Sequence, residues 1–427
     1  MINLVFDHLS REVIDSISKK MIFDPQQAGN LINYNDVEHP KFSFSPAIRR
    51  FIFNNTSETI NITRDFSTSH YLYSIGVGHD PRQWCGGGFA GKFVPSVFDL
   101  LPERLVKDLK NKKALLLLDQ SYEGYHEDFL WDWFHCQCYS HEIPIDSVVY
   151  ITGDLDAEDS YTRYCKLNRI TKQLKVVGEI LCDYILRDPI KLLDKDFDSY
   201  YNYKFQNQEL IKLFDCLNSN PRTHRLINFV NLKKHGLVDQ GLVSFRSADF
   251  YNIDNAYRPN NFDKIVDKIN KILPLDCFAI DQEQDLSKMI NRVRSDVYKN
   301  SWISLVTEAS YFANTGKFIS EKIFKPISCF QPFLLLGPRH SLLSLQQRGF
   351  QTFHPWIDET YDKANDQDRF QKIIESLKKF QRIPNKVEWY KNIQNIVEFN
   401  FNRLQEEINK HKAEPIINYY KEYFHVS

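Results

Sequence analysis

Short apolar runs recur along this chain, each followed by turn residues and then by a segment whose apolar positions repeat at helical spacing. In the first half Tyr71 to Ile75, Ala114 to Leu118 and Ser147 to Thr152 are such runs, and Glu127 to Tyr139, between the last two, is aromatic and helical in period. The second half repeats the alternation. A strand is expected at Ile211 to Leu217, a helix from about His224 to Gly236, and further strands at Leu242 to Phe245, Trp302 to Thr307 and Gln331 to Leu336. A helix at Ser341 to Arg348, a short strand at Phe350 to Phe353 and a helix at Asp366 to Phe380 follow. Trp389, Ile393, Ile396, Val397, Leu404 and Ile408 then recur at helical intervals, which predicts one or two long C-terminal helices. Strands that alternate with amphipathic helices stack as α/β layers around parallel sheets, so α/β is the expected class.

A chain of 427 residues exceeds what one hydrophobic core organises, and two domains of roughly 200 residues each are expected. The stretch "RDPIKLLDKDFDSYYNYKFQNQ", Arg187 to Gln208, is charged, tyrosine-rich and weakly periodic, and it sets the boundary: residues 1–205 and 206–427. With 54 basic against 55 acidic side chains the net charge is -1, which argues against a nucleic-acid partner; phosphate recognition must be local. The N-terminus has no basic region or small-residue cleavage site, and no run of apolar residues is long enough to span a bilayer. A soluble, cytoplasmic protein is expected. Eight cysteines are too few for a disulfide scaffold, and Cys182, Cys216, Cys277 and Cys329 lie in apolar runs as reduced, buried thiols would.

In open α/β sheets ligands sit outside the carboxyl ends of the strands. Two loops of the second domain leave such ends. "NSNPRTHR", Asn218 to Arg225, carries Arg222 and Arg225; the other holds Lys317 and Lys322 around the start of a helix. Ser320 has the side chain of an N-cap, with Ile323, Phe324 and Ile327 following at helical spacing. Lys322 then places a cation in a first helical turn, against the partial positive charge there, unless an anion stands beside it. Arginine forks and helix N-termini both suit a diphosphate, although a Glu-Lys pair at a helix start is commonly just solvated surface. Pro326 inside the same helix removes an internal hydrogen bond.

The segment "TEASYFANTGKFISEKIFKPISCFQPFLLLG" resembles the donor-binding segment of the GT-B α1,3-fucosyltransferase-like glycosyltransferases, nearest to those of bacteria, phages and viruses. In these an acidic residue, a Thr/Ser-Glu-Lys, an apolar helix and a strand ending in glycine recur. The loop "NSNPRTHR" is similar to the one that opens their second domain. The likeness covers about Phe205 to Asp362; Ser320 stands where Thr is commoner, and Asn314-Thr315-Gly316 lengthens the preceding loop. The resemblance implies two Rossmann-like domains facing a cleft: an N-terminal acceptor domain and a C-terminal donor domain with terminal helices. It implies a nucleotide-diphosphate sugar such as GDP-fucose as co-substrate, a glycan acceptor and no other cofactor. Lys322, with Arg222 or Arg225, would bind the diphosphate beside Ser320, Glu321 the ribose hydroxyls, and Glu308 the sugar or ribose. Positioned cations would stabilise the departing nucleoside diphosphate without a metal.

An inverting transfer needs a base for the acceptor hydroxyl. The loop "DQSYEGYHED" after the Leu115 to Leu118 strand holds Glu123, the first candidate, and Asp119, its substitute. Two other motifs compete. Asp154 and Asp156 in "GDLDAED" have the Asp-x-Asp form of a metal-bound nucleotide site, which would make the protein a metal-dependent transferase. "HCQCYSH", with His135, Cys136, Cys138 and His141, invites zinc, but residues two apart do not share a helical face. A non-catalytic glycan- or nucleotide-binding relative is the third alternative.

Overall fold

The computed structural model describes residues 1–5, 58–63, 65–77, 85–89, 92–121, 124, 129–179, 190–191, 193–218, 222–245, 293–311, 317–410 and 413–426. In chain order the first elements are β1 (Ile2–Val5), β2 (Ile60–Thr63), β3 (Tyr71–Gly76), β4 (Cys85–Phe89), β5 (Lys92–Ser96), α1 (Glu103–Lys110) and β6 (Ala114–Gln120). Next come α2 (Phe129–Ser140), β7 (Val148–Thr152), α3 (Ala157–Leu167), β8 (Lys175–Gly178), α4 (Phe197–Gln206), β9 (Lys212–Asn218), α5 (Thr223–Lys234) and β10 (Gly241–Phe245). The remainder are α6 (Ser295–Lys299), β11 (Ser301–Thr307), α7 (Glu321–Ile327), β12 (Phe333–Leu336), α8 (Ser341–Gln347), α9 (Asp366–Gln381), α10 (Lys386–Asn392), α11 (Gln394–Asn409) and α12 (Glu414–Phe424).

The α/β class and the C-terminal helices expected from the sequence are present. Contacts group the chain into two units, Met1–Tyr184 with Gly316–Phe318 and Asn409–Ser427, and Ile185–Thr315 with Ile319–Ile408. The division by composition falls at 205/206; contacts instead give α4 to the second unit and return α12 to the first.

In the first unit six strands pair in parallel in the order β2-β1-β3-β6-β7-β8, with β4 and β5 forming a separate antiparallel hairpin. The central strand β6 is buried along its whole length, as a parallel strand covered on both faces must be. Its side chains alternate between two cores. Leu116 and Leu118 join Trp131, Phe134, Tyr150 and Tyr161 on one face. On the other, Leu115 and Leu117 join Ile416, Ile417, Tyr420 and Phe424 of α12.

In the second unit the described strands also pair in parallel, in the order β10-β9-β11-β12. Both sheets therefore place their first strand between their second and third. Among the described strands the order reverses between β1 and β3 and between β9 and β11, and in open α/β sheets ligands sit at the carboxyl ends beside such a reversal. No internal repeat is visible in the amino-acid sequence, yet this order occurs twice.

The segment Phe350 to Phe353 corrects an expectation, since it is not a strand. Its backbone is satisfied by side chains: the Gln351 N–H donates to Asn400 Oδ1 at 2.8 Å, Asn400 Nδ2 donates to the Gln351 carbonyl at 2.8 Å, and the Phe353 N–H donates to Glu359 Oε1 at 2.6 Å. Cys85, Cys138, Cys165, Cys216 and Cys329 are buried thiols outside any disulfide, and Cys136 is an exposed one; Cys182 and Cys277 lie outside the described residues. Among the described residues no helix is long and apolar enough to cross a membrane.

At the amino end of the second sheet Lys204 of α4 is wholly buried. Its ammonium donates to the carbonyls of Tyr298 (2.7 Å) and Ser301 and to Gln331 Oε1 (3.2 Å), so each of its three protons has an acceptor. Asp215 of β9 accepts from the hydroxyls of Ser301 (2.7 Å) and Ser304 (2.6 Å). Burial pushes the lysine down and the aspartate up, and the opposite charge of each resists that shift in the other. Removing the cation orphans buried acceptors and leaves Asp215 without its counter-charge. Lys204→Met is therefore expected to destabilise the protein by about 3–5 kcal/mol, measured as a lower urea midpoint.

Candidate functional site

At the switch point of the second sheet, Glu308 follows β11 directly and is fully buried. Its backbone N–H donates to the Leu336 carbonyl at 2.9 Å, continuing the pairing of β11 with β12. One carboxylate oxygen, Oε2, accepts from the Ser320 hydroxyl, from the Ser320 N–H at 3.2 Å and from the Ala309 N–H at 3.3 Å. The other, Oε1, is buried and has no hydrogen-bond partner among the described residues. A polar atom withdrawn from water and left unpaired is costly, and such an acceptor suits a hydroxyl or amine brought by a ligand.

Ser320 caps α7, as its sequence position predicts, by accepting from the Lys322 N–H at 3.3 Å. The ammonium of Lys322 reaches back to Ser320 Oγ (3.2 Å) and to Glu321 Oε1 (2.9 Å). The anion beside this first-turn cation is thus its own neighbour, Glu321. Burial would raise Glu321, but the charges of Lys322 and Lys325 and the hydrogen bond from Lys322 outweigh it and hold the carboxyl down at about 2. Glu308 moves the other way: burial raises it, and Lys322 and Ser320 oppose only part of that. Pro326 offers no N–H to the Lys322 carbonyl one turn back, and α7 ends at Ile327.

The start of α5 reaches the same strand end. The Arg222 guanidinium donates to the Ala309 carbonyl, and Arg225 Nη2 donates to the carbonyls of Glu308 (3.1 Å) and Thr307 (3.4 Å). Arg225 is buried, and burial together with the charge of Arg222 pushes it down to about 10. Its fork holds backbone, whereas Arg222 keeps some exposed surface. Between them His224, a residue the sequence motif contains but gives no role, is buried and bonds through Nε2 to the Glu308 carbonyl at 2.9 Å. A carbonyl can only accept, so Nε2 carries the proton. Gly337, after β12, completes the enclosure: a Cβ there would meet Ser341 Oγ at 2.8 Å and Glu308 Cγ at 3.2 Å.

Arg222, Arg225, Glu308, Ser320, Glu321 and Lys322 are therefore one cluster within the second unit. The remaining candidates belong to the first unit. Asp119 ends up near the carboxyl terminus of β6, buried, with Oδ1 accepting from the Ser121 N–H at 2.9 Å. Glu123 lies outside the described residues. Asp154 and Asp156 are engaged by Lys317, whose N–H donates to Asp154 Oδ1 (2.8 Å) and whose ammonium pairs with Asp156 (2.9 Å). In the Cys/His motif, Cys138 is buried and its thiol pushed up to about 12 by desolvation, Cys136 is exposed, His135 meets the Tyr161 hydroxyl at 3.0 Å and His141 meets Asp99 at 3.2 Å. Among the described residues no three His, Cys, Asp or Glu side chains form a metal-holding group.

No family model matches the chain. No curated protein matches it either. Solved structures of similar trace include a glycosyltransferase from Rickettsia africae, 12% identical with a TM-score of 0.39, covering 76% of this chain and 74% of that one. A UDP-forming α,α-trehalose-phosphate synthase from Burkholderia xenovorans is 10% identical, TM-score 0.42, over 86% of this chain and 89% of that one. A UDP-GlcNAc 2-epimerase from Neisseria meningitidis bound to UDP-GlcNAc is 11% identical, TM-score 0.36, over 87% and 95%. At such scores the likenesses say nothing of substrate or reaction.

Burial holds His224 far below the usual imidazole range, and the charges of Arg225, Arg222 and Lys322 add to the effect. The folded ring stays neutral where the unfolded ring takes up a proton. Stability is then fully present above about pH 6.5 and declines as pH falls below it. His224→Gln, which keeps a donor for the Glu308 carbonyl, is expected to flatten this decline in urea midpoints compared between pH 5 and 7.

Proposed function

We propose that this protein is a glycosyltransferase that takes a sugar from a nucleotide-diphosphate donor held in its second unit. The observation that carries the reading is the cluster at the β9/β11 switch point, where a buried carboxylate with a vacant acceptor atom stands among Arg222, Lys322 and the capped start of α7. Departure of a nucleoside diphosphate leaves two phosphates with growing negative charge, and cations fixed beforehand stabilise that charge as it forms. Lys322 and Arg222 supply such charges. Glu308 Oε1 and Glu321 are the acceptors for sugar or ribose hydroxyls, and Ser320 orients both Glu308 and Lys322. Arg225 and His224 brace the strand end from beneath.

In this reading the transfer is inverting and needs no metal, because protein cations do the work a divalent ion would otherwise do. Asp119, near the carboxyl end of β6, or Glu123, four residues later in sequence, takes the proton from the acceptor hydroxyl of a glycan. The resemblance of Ser320-Glu321-Lys322 to fucosyltransferase-like enzymes makes GDP-fucose the first donor to try. The engagement of Asp154 and Asp156 by Lys317 weighs against a metal-bound nucleotide at that motif.

Thermal shift and titration calorimetry with GDP, UDP and their sugars test the proposal. One nucleoside diphosphate is expected to stabilise the protein, and Lys322→Ala to weaken its binding about tenfold or more, the scale of one charge-assisted hydrogen bond. If no nucleoside diphosphate binds, or if Lys322→Ala binds unchanged, the proposal fails. Glu308→Gln separates binding from folding. Because the carboxyl is raised in the fold, its ionised form costs stability once pH rises through the folded value. The variant is expected to melt no lower than wild type at neutral pH while losing affinity for the nucleotide sugar.

A further inference from the structure

The strand ends that frame Glu308 are held by an arginine that hydrogen-bonds none of the proposed ligand-binding side chains. Arg369, in the first turn of α9, is 1% exposed. Its Nη1 donates to the carbonyl of Gly337 at 2.6 Å and to that of Tyr311 at 3.3 Å; its Nη2 donates to the Ala364 carbonyl and to Asp366 Oδ1, both at 3.1 Å. Gly337 follows β12 and Tyr311 follows β11, so one planar group grips two separate loops at one spacing. The guanidinium also lies 4.7 Å from the centre of the Tyr311 ring. That ring in turn stacks on His224, with centroids 5.6 Å apart and planes 10° from parallel. Both paths lead to Glu308: through Gly337, where an added Cβ would meet its side chain at 3.2 Å, and through His224, which bonds its carbonyl.

A hydrocarbon of similar volume would fill this space without the cost of desolvating a charge. What the guanidinium adds is a rigid fork that fixes carbonyls from different loops relative to one another; a lysine ammonium is a point charge and does not fix two such carbonyls in a plane. We propose that Arg369 is a positioning residue of the nucleotide site, setting where the Glu308 carboxylate and the Gly337 backbone stand. The assignment rests on the nucleotide-sugar reading for its role, and on the clamp itself for its structure.

The test uses Arg369→Lys, with Leu377→Ala as a control of comparable burial on the same helix and Asp366→Asn as a milder variant that keeps the arginine. Two readouts are taken: amide hydrogen exchange by mass spectrometry, and the dissociation constant for GDP and UDP. In Arg369→Lys, peptides over residues 305–311 and 335–342 are expected to exchange about tenfold faster, while a peptide over β9 keeps its protection; Asp366→Asn gives a smaller rise in the same two segments. Nucleoside diphosphate affinity falls about tenfold in Arg369→Lys and stays within about twofold in Leu377→Ala. Unchanged exchange in both segments, or the same pattern in Leu377→Ala, overturns the clamp. Should Arg369→Lys not fold, the exchange pattern of Asp366→Asn decides in its place. Should wild type bind neither GDP nor UDP, the nucleotide reading falls while the exchange result still decides whether the clamp exists.

Discussion

A carboxylate taken wholly out of water must be met by donors, and around Glu308 that demand organises the second unit. Ser320 answers it with both its hydroxyl and its N–H, which fixes where α7 begins. Because the same hydroxyl accepts from the N–H and the ammonium of Lys322, one oxygen links helix cap, cation and buried acid. The start of α5 secures the backbone of residues 307–309 with two arginines and a histidine. Such a network is rigid when every member is satisfied, and Oε1 of Glu308 is an acceptor left open among the described residues.

The position of this network follows from topology. When the first strand of a parallel sheet lies between the second and third, the chain must turn opposite ways on leaving neighbouring strands, and no connection covers the gap. Asn218, Glu308 and Gly337 follow one another across adjacent strand ends in the second unit, which is why residues far apart in sequence meet there. The first unit has the same order and a comparable rim, with Asp119 beside Gln120 and Thr152 at the ends of β6 and β7.

Much of this is legible in the amino-acid sequence, for identifiable reasons. A strand buried on both faces, such as Ala114–Gln120, is a nearly unbroken apolar run, and Ser320 before Glu-Lys and an apolar periodicity marks a helix start whatever lies beyond. Less is visible where side chains serve distant backbone. Arg369 sits three residues after Asp366, the spacing of a solvated ion pair, and nothing local shows that its other donors face two loops. His224 likewise sits in a polar run, and its burial depends on Tyr311 far along the chain. Gln351 and Phe353 carry the alternation of a strand, but Asn400 and Glu359 take their hydrogen bonds first. Amphipathic spacing shows that α12 has an apolar face but not which sheet receives it.

That last helix has a consequence for how the protein comes into being. Ile416, Ile417, Tyr420 and Phe424 complete one face of the first sheet, and the Tyr420 hydroxyl bonds the His70 carbonyl across 350 positions of sequence. During synthesis Leu115, Leu117, Val149 and Ile151 must wait for these partners while the ribosome makes the whole of the second unit. Contacts of such long range form late and slowly, and until they do the half-built sheet is the part of the newborn chain that a chaperone has most reason to hold.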